Sequence, residues 1–148
     1  MIFIESESGQ TFPGDLLERA ARTVLDLSGA QEADLTIVLV DDARIQALNR
    51  DFLAHDAPTD VLSFPADEPD PETGRRYLGD VVISTRRAEE QARERGHAIE
   101  AEMQLLVVHG ILHLLGHDHA EVREKERMWA AQARALERLG VSPQIVHE

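Results

Sequence analysis

The chain contains no cysteine, which excludes disulfide bonds, thiol nucleophiles and thiolate metal ligands. Aromatic residues make up only 4% of its 148 residues. No apolar run approaches the roughly 18 residues that a membrane span needs, and the amino terminus lacks the basic region of a secretory peptide. We therefore expect a cytoplasmic protein without membrane contact, folded as one domain over residues 1–148.

Basic residues are also scarce. Lys and Arg together number 15 against 28 Asp and Glu, and the formal net charge is −13. A general basic surface that coats nucleic acid is thereby excluded. Fourteen of the 15 basic residues are arginines, so any phosphate contact depends on local clusters such as Arg75-Arg76 or Arg86-Arg87.

Hydrophobic periodicity predicts both strands and helices. Strands are predicted at Leu35–Val40, Val61–Phe64 and Leu78–Ser84, with the acidic, proline-containing residues Ala66–Gly74 as an exposed loop. Three predicted helices open at Pro13 and Asp15, at Asp41 or Asp42, and at Thr85. The second of them is expected to bury Ile45, Leu48 and Phe52. Two further helices are predicted, one that runs up to Leu115 and one from Glu121 to Leu139. Because the two types do not alternate strictly, we expect an α+β fold, a small mixed sheet packed by about five helices.

Four of the seven histidines lie within eleven residues near the end of the most apolar predicted helix. His109 and His113 stand four residues apart, so one helix face presents both imidazoles. Gly116 is expected to end this helix and to turn the chain so that a third imidazole approaches. Three imidazoles that leave one position open to water are typical of a catalytic zinc site. The spacing leaves open whether His117 or His119 is the third ligand.

The spacing of His109, His113 and His119 also equals that of extended zinc-protease motifs. Those enzymes place Glu directly after the first histidine as the general base. Here that position is Gly110, which cannot take a proton. The metal geometry of such motifs therefore carries over, whereas their peptidase chemistry lacks its key group.

The block His109–His119 resembles the signature of the YbeY family, bacterial zinc-dependent endoribonucleases concerned with ribosomal RNA maturation. Three upstream segments, Leu48-Asn49, Asp56–Pro65 and Leu78–Ser84, are similar to the family in order and spacing. The resemblance implies one Zn²⁺ per chain, held by His109, His113 and His119 at the end of a buried helix. It further implies a single-strand-specific endoribonuclease that acts at the 3′ end of 16S rRNA and in ribosome quality control.

One position departs from the family pattern. Leu53 stands where many members carry an Arg tied to activity on RNA. Arg50, one helical turn away, is the predicted RNA-binding substitute, and the sequence identifies no catalytic general base. Asp60 admits two roles, strand entry or catalysis, and Asp80 is either a carboxylate that orients a ligand histidine or a turn-facing charge. Gly79 predicts a bulge or a close backbone approach.

The acidic balance predicts a further partner. A protein with a net charge of −13 needs a basic ribosomal or assembly-factor protein to bring it to RNA. Two other functions are compatible with the histidine pattern. One is a zinc-stabilised ribosome-assembly factor that binds without cutting, and the other is a zinc peptidase.

Overall fold

The computed structural model describes residues 1–12, 15–118 and 120–142, apart from the Asp67 side chain. Pro13, one of the residues at which the first helix is predicted to open, lies outside these residues. Within them, no helix is both long and apolar enough to cross a membrane. The elements in chain order are β1 (Ile2–Ser6), α1 (Leu16–Leu27), β2 (Asp34–Val40), α2 (Asp42–Leu53), β3 (Val61–Pro69), β4 (Arg76–Ser84), α3 (Thr85–Arg95), α4 (Ile99–Leu114) and α5 (Val122–Arg138).

The strands form one mixed sheet in the order β1-β2-β4-β3. β1, β2 and β4 run parallel, and β3 pairs antiparallel with β4 at one edge. Four strands and five helices in the described part of the chain confirm the predicted α+β architecture. The sequence reasoning missed β1, because this edge strand is mostly exposed and shows no alternation of apolar and polar residues.

α4 is the central helix of the fold. It packs against β3 and β4 on one side and against α1, α3 and α5 on the others. Eleven of its sixteen residues are buried, including the carboxyl group of Glu102 at its start. A helix surrounded in this way is apolar on nearly every face, which explains its hydrophobic run.

α2 covers part of the opposite face of the sheet. Its cap is as predicted, since the Asp41 side chain accepts a hydrogen bond from the Arg44 N–H at 2.8 Å. The predicted stripe of Ile45, Leu48 and Phe52 is wrong at its last member, because Phe52 is 67% exposed. Asn49 is buried instead, and its side-chain amide donates to the Ala57 carbonyl at 2.9 Å. The Phe52 and Phe64 rings meet in a T-shaped arrangement, at 5.6 Å between centroids.

The β3–β4 hairpin extends further than predicted. β3 continues to Pro69 and β4 begins at Arg76, so the exposed acidic loop shrinks to residues 70–75. The pairing shifts register between Pro65 and Glu68. Opposite this irregularity Gly79 has φ +133°, and a Cβ there would lie 2.1 Å from the Phe64 carbonyl oxygen. The prediction of a bulge or a close backbone approach at Gly79 is confirmed. The hairpin beyond it comes from pairing that no local pattern indicates.

Candidate metal centre

The last turns of α4 hold His109 and His113 on one face. Both side chains are half-buried, and their rings meet edge to face at 4.7 Å between centroids. The two Nε2 atoms lie 3.2 Å apart. The helical spacing that predicted neighbouring imidazoles is therefore confirmed, and both side chains turn the same nitrogen toward one point.

These imidazoles form part of an open cleft of about 560 Å³. One wall is the start of β3 with the segment before it, and the other is α4 with the turn that follows. Gly116, with φ +97°, lies at that turn, as predicted. The residues that line the cleft are Thr59, Asp60, Val61, Leu62, Ser63, Pro65, His109, His113, Gly116, His117 and Asp118.

The two imidazoles fit a metal ion by their spacing. Ligand nitrogens about 2.0–2.1 Å from a tetrahedral ion lie roughly 3.3 Å from each other, and the observed separation is 3.2 Å. His119, the third predicted ligand, lies outside the described residues. Among the residues that the structure describes, no three His, Asp or Glu side chains form a group that could hold a metal. The described pair thus supplies two of the nitrogens that a histidine centre needs.

Gln132 contacts the first of these imidazoles from behind. It lies on α5 with 1% of its surface exposed, and its Oε1 is 3.0 Å from His109 Nδ1. Sequence reasoning missed this residue. A signal was present, because Gln132 interrupts the buried face of α5 that Met128, Ala135 and Leu136 otherwise make apolar.

Gly110 lies on the side of α4 that faces the sheet. A Cβ at this position would come within 2.5 Å of a Val81 methyl and 3.3 Å of a Val61 methyl. The Gly110 carbonyl accepts a hydrogen bond from Ser63 Oγ at 2.8 Å, which ties α4 to β3 beneath the imidazoles. A glutamate at this position would enter the helix–sheet contact, so the fold leaves no room for the glutamate that zinc proteases carry directly after the first histidine.

The two aspartates with open roles lie on different sides of the sheet. Asp60 lines the cleft, where its Oδ1 accepts from the Val61 N–H at 2.8 Å and from Thr59 Oγ1 at 3.3 Å. Asp80 accepts from the Tyr77 hydroxyl at 2.5 Å. Since its neighbour Val81 faces α4, Asp80 points to the opposite face. Asp80 therefore does not orient the histidines, and the contact to His109 comes from the Gln132 amide.

A buried carboxyl–imidazole contact lies at the other end of α4. Glu102 is fully buried, and its Oε1 is 2.6 Å from His97 Nε2. Burial raises the pKa of the Glu102 carboxyl, although the hydrogen bond to His97 works in the opposite direction. The charge of Asp60 adds to the upward shift. This pair secures the start of the helix whose other end carries the two imidazoles.

Arg50 lies on the last turn of α2, where it is exposed. Its Nε donates to Asp51 Oδ1 at 3.0 Å, and this hydrogen bond raises the guanidinium pKa further. Leu53 is 55% exposed on the same turn. Both residues belong to the segment that leads through residues 54–60 into the cleft wall.

A mixed sheet, a buried helix that ends in two convergent imidazoles and an open polar cleft together define a class. It is the class of small α+β domains with a histidine centre suited to a metal ion.

Residues 3–140 match the sequence profile of the family described as Endoribonuclease YbeY. A relative of that name from Pelotomaculum thermopropionicum is 47% identical over 131 residues, which cover 86% of each chain. Another, from Carboxydothermus hydrogenoformans, is 51% identical over 108 residues, covering 72% of this chain and 73% of the relative. The solution structure of a Thermotoga maritima protein is similar with a TM-score of 0.61 and 28% identity, over 95% of this chain and 92% of that one.

The chain belongs to the Endoribonuclease YbeY family. Members are metal-dependent hydrolases that cut within RNA chains, so the predicted family and enzyme class are confirmed. Neither a non-enzymatic assembly role nor peptidase chemistry is favoured by this membership.

Proposed function

We propose that the protein is a zinc-dependent endoribonuclease specific for single-stranded RNA, acting in the cytoplasm on ribosomal RNA. The proposed tasks are maturation of the 16S 3′ end and ribosome quality control. The observation that carries this proposal is the 3.2 Å separation of the His109 and His113 Nε2 atoms at the cleft. Membership in a family of endoribonucleases supports RNA as the substrate.

Three histidines are proposed to hold the metal, one ion per chain. His109 and His113 would bind through Nε2, and His119 would complete the set from the segment after α4. When bound, Zn²⁺ supplies a Lewis acid that polarises a phosphoryl oxygen and makes hydroxide available near neutral pH. His117 and Asp118 line the cleft wall opposite β3.

The side chains of the cleft restrict how RNA approaches. Asp60 and Asp118 line it, and no Arg or Lys is among its described lining residues. Carboxylates repel phosphate, so the cleft attracts the backbone only once a cation is bound. Arg50 is the proposed phosphate contact outside the cleft, and a basic ribosomal or assembly-factor protein is the proposed aid to RNA binding.

The test measures metal content and RNA cleavage in the same preparations. The wild type is expected to hold about one zinc per chain and to cut a labelled single strand faster than its duplex. His113→Ala is expected to lose both metal and cleavage. His55→Ala, which removes an exposed imidazole on the loop after α2, serves as the matched control and is expected to keep both.

Other outcomes would refute the proposal in distinguishable ways. Cleavage that survives in metal-free His113→Ala would show that the histidine centre is not the active site. A zinc-loaded wild type that cuts neither free RNA nor ribosomal particles would favour the assembly role. Digestion of casein without digestion of RNA would favour a peptidase.

A further inference from the structure

Gln132 is a polar side chain built into an apolar helix–helix contact. It comes from α5, 23 residues beyond His109 in the chain, and only 1% of its surface is exposed. Burying an amide that lacks a hydrogen-bond partner destabilises the folded protein. The 3.0 Å contact between its Oε1 and His109 Nδ1 offsets that cost.

The chemistry of this contact determines the tautomer of His109. The amide oxygen of Gln132 only accepts hydrogen bonds, so Nδ1 of His109 must be the donor. In a neutral imidazole with the proton on Nδ1, the lone pair lies on Nε2. Nε2 is the nitrogen that lies 3.2 Å from Nε2 of His113.

We infer that Gln132 is a positioning residue for the metal centre: it holds the proton on His109 Nδ1 and so presents the Nε2 lone pair to the ion. This inference rests on the proposed function. Gln132 is not among the residues that line the cleft, so it acts through His109. A ligand histidine commonly donates its second nitrogen to such a partner, and loss of the partner weakens metal binding by about 10–100-fold.

The acceptor that Gln132 offers to His109 is an uncharged amide oxygen. An amide oxygen is a weaker acceptor than a carboxylate, because a charged hydrogen bond is roughly twice as strong as a neutral one. Gln132→Glu should therefore keep the tautomer and bind zinc at least as tightly as the wild type. Gln132→Met keeps the length of the side chain but removes the acceptor, and it should lose the tautomer preference.

The first measurement uses metal-free protein at a pH where the imidazole is neutral. Nitrogen-15 NMR of the histidine rings distinguishes a proton on Nδ1 from a proton on Nε2. The wild type and Gln132→Glu are expected to show His109 with the proton on Nδ1, and Gln132→Met is expected to show a mixture. A wild-type proton on Nε2 would overturn the inference, since it requires the amide NH₂ to face His109.

The second measurement is zinc affinity by competition with a chromophoric chelator. Gln132→Met is expected to bind about 10–100-fold more weakly than the wild type. Gln104→Met is the matched control, because Gln104 is also buried, with 5% exposed, but lies on α4 itself. An unchanged affinity in Gln132→Met would overturn the inference, as would an equal loss in Gln104→Met.

The two measurements separate this inference from the proposed function. The His109 tautomer is measured without metal or RNA, so the result of that measurement is valid even if the protein does not cleave RNA. If Gln132→Met does not fold, Gln132→Glu still decides, because a proton on Nε2 in that variant contradicts the assigned acceptor role.

Discussion

His117 and His119 flank Asp118 in the sequence, and only His119 is proposed to bind the metal. Replacement of His109, His113 or His119 by Ala is expected to remove most of the bound zinc, because each loses one nitrogen of the site. His117→Ala is expected to keep it. Metal analysis of the four purified variants decides the assignment. A metal-free His117→Ala beside a metal-loaded His119→Ala would reverse the ligand set.

The pKa of the Tyr77 hydroxyl depends on the residues that surround it. Burial raises its pKa from 10.0 to about 12, and the hydrogen bond to Asp80 adds to the shift. Tyr77 is the only tyrosine, so tyrosinate absorbance measures this group directly. The titration midpoint is expected near pH 12. Asp80→Asn, which removes the charged acceptor, should move the midpoint down, and a wild-type midpoint near 10 would contradict the buried hydrogen bond.

The same shift has a consequence for stability. Because the folded-state pKa of Tyr77 is raised, its contribution to stability is complete below pH 10 and is lost as the pH rises through about 12. The stability difference between the wild type and Tyr77→Phe should therefore shrink over that window.

At the scale of elements, the contact between α4 and β4 depends on the absence of a side chain. Ala at position 110 would gain about 1 kcal/mol of helix propensity, but its Cβ would lie 2.5 Å from a Val81 methyl. Gly110→Ala is therefore expected to lower the free energy of unfolding by about 1–3 kcal/mol. Denaturant unfolding measures this loss.

Val81→Ala provides the control, since it removes the methyl groups that the new Cβ would meet. Alone it should cost on the order of 2 kcal/mol. In the double variant Gly110→Ala/Val81→Ala the two costs should not add, because the second change relieves the clash of the first. Additive costs would show that the helix and strand adjust to position 110 independently of Val81.

At the scale of the whole molecule, the proposed metal links the end of α4 to the turn that follows it. A ligand that binds only the folded protein raises stability, by about 2.7 kcal/mol at a hundredfold excess over its dissociation constant. For a domain of this size the melting temperature should rise by roughly 5–10 °C on zinc addition. His113→Ala should show no such rise. Equal melting temperatures of verified metal-free and zinc-loaded wild type would contradict the link.

The charge distribution of the molecule predicts its response to salt. Arg75 pairs with Asp34 at 2.9 Å, Arg86 with Glu90 at 3.4 Å, and Arg87 with Asp42 at 3.4 Å. Guanidinium groups paired in this way offer few contacts to phosphate. Each contact to single-stranded RNA contributes a slope of about −0.7 in log affinity against log salt.

Binding to free RNA should accordingly be weak, with a slope shallower than about −2, as three contacts or fewer would give. Arg50→Gln should reduce that slope by about 0.7 if this residue contacts phosphate. Tight binding to free RNA with a steep dependence on salt would show that a basic surface exists outside these arginines. Faster cleavage of RNA in ribosomal particles than of free RNA would support the proposed protein partner.

Some features follow from neighbours along the chain. The periodic helices, the His109–His113 spacing and the turn at Gly116 were predicted because each depends on residues within a few positions of one another. The family was predicted for the same reason, since its motifs are local blocks. Phe52 shows where local pattern fails: it continues an apolar stripe, but it is 67% exposed.

By itself, the sequence determined the α+β class and the pair of imidazoles on one helix face, because periodicity and spacing encode them within single elements. It determined the family through the resemblance of its motif blocks. Only the tertiary structure decided that Gln132 meets His109, that Gly110 faces Val81, and that Asp80 lies on the far side of the sheet. The physical reason is the same for all three. The period of apolar residues within one helix or strand indicates which of its sides is buried. It does not indicate which residues of other elements that side contacts, because those contacts depend on how distant segments of the chain pack.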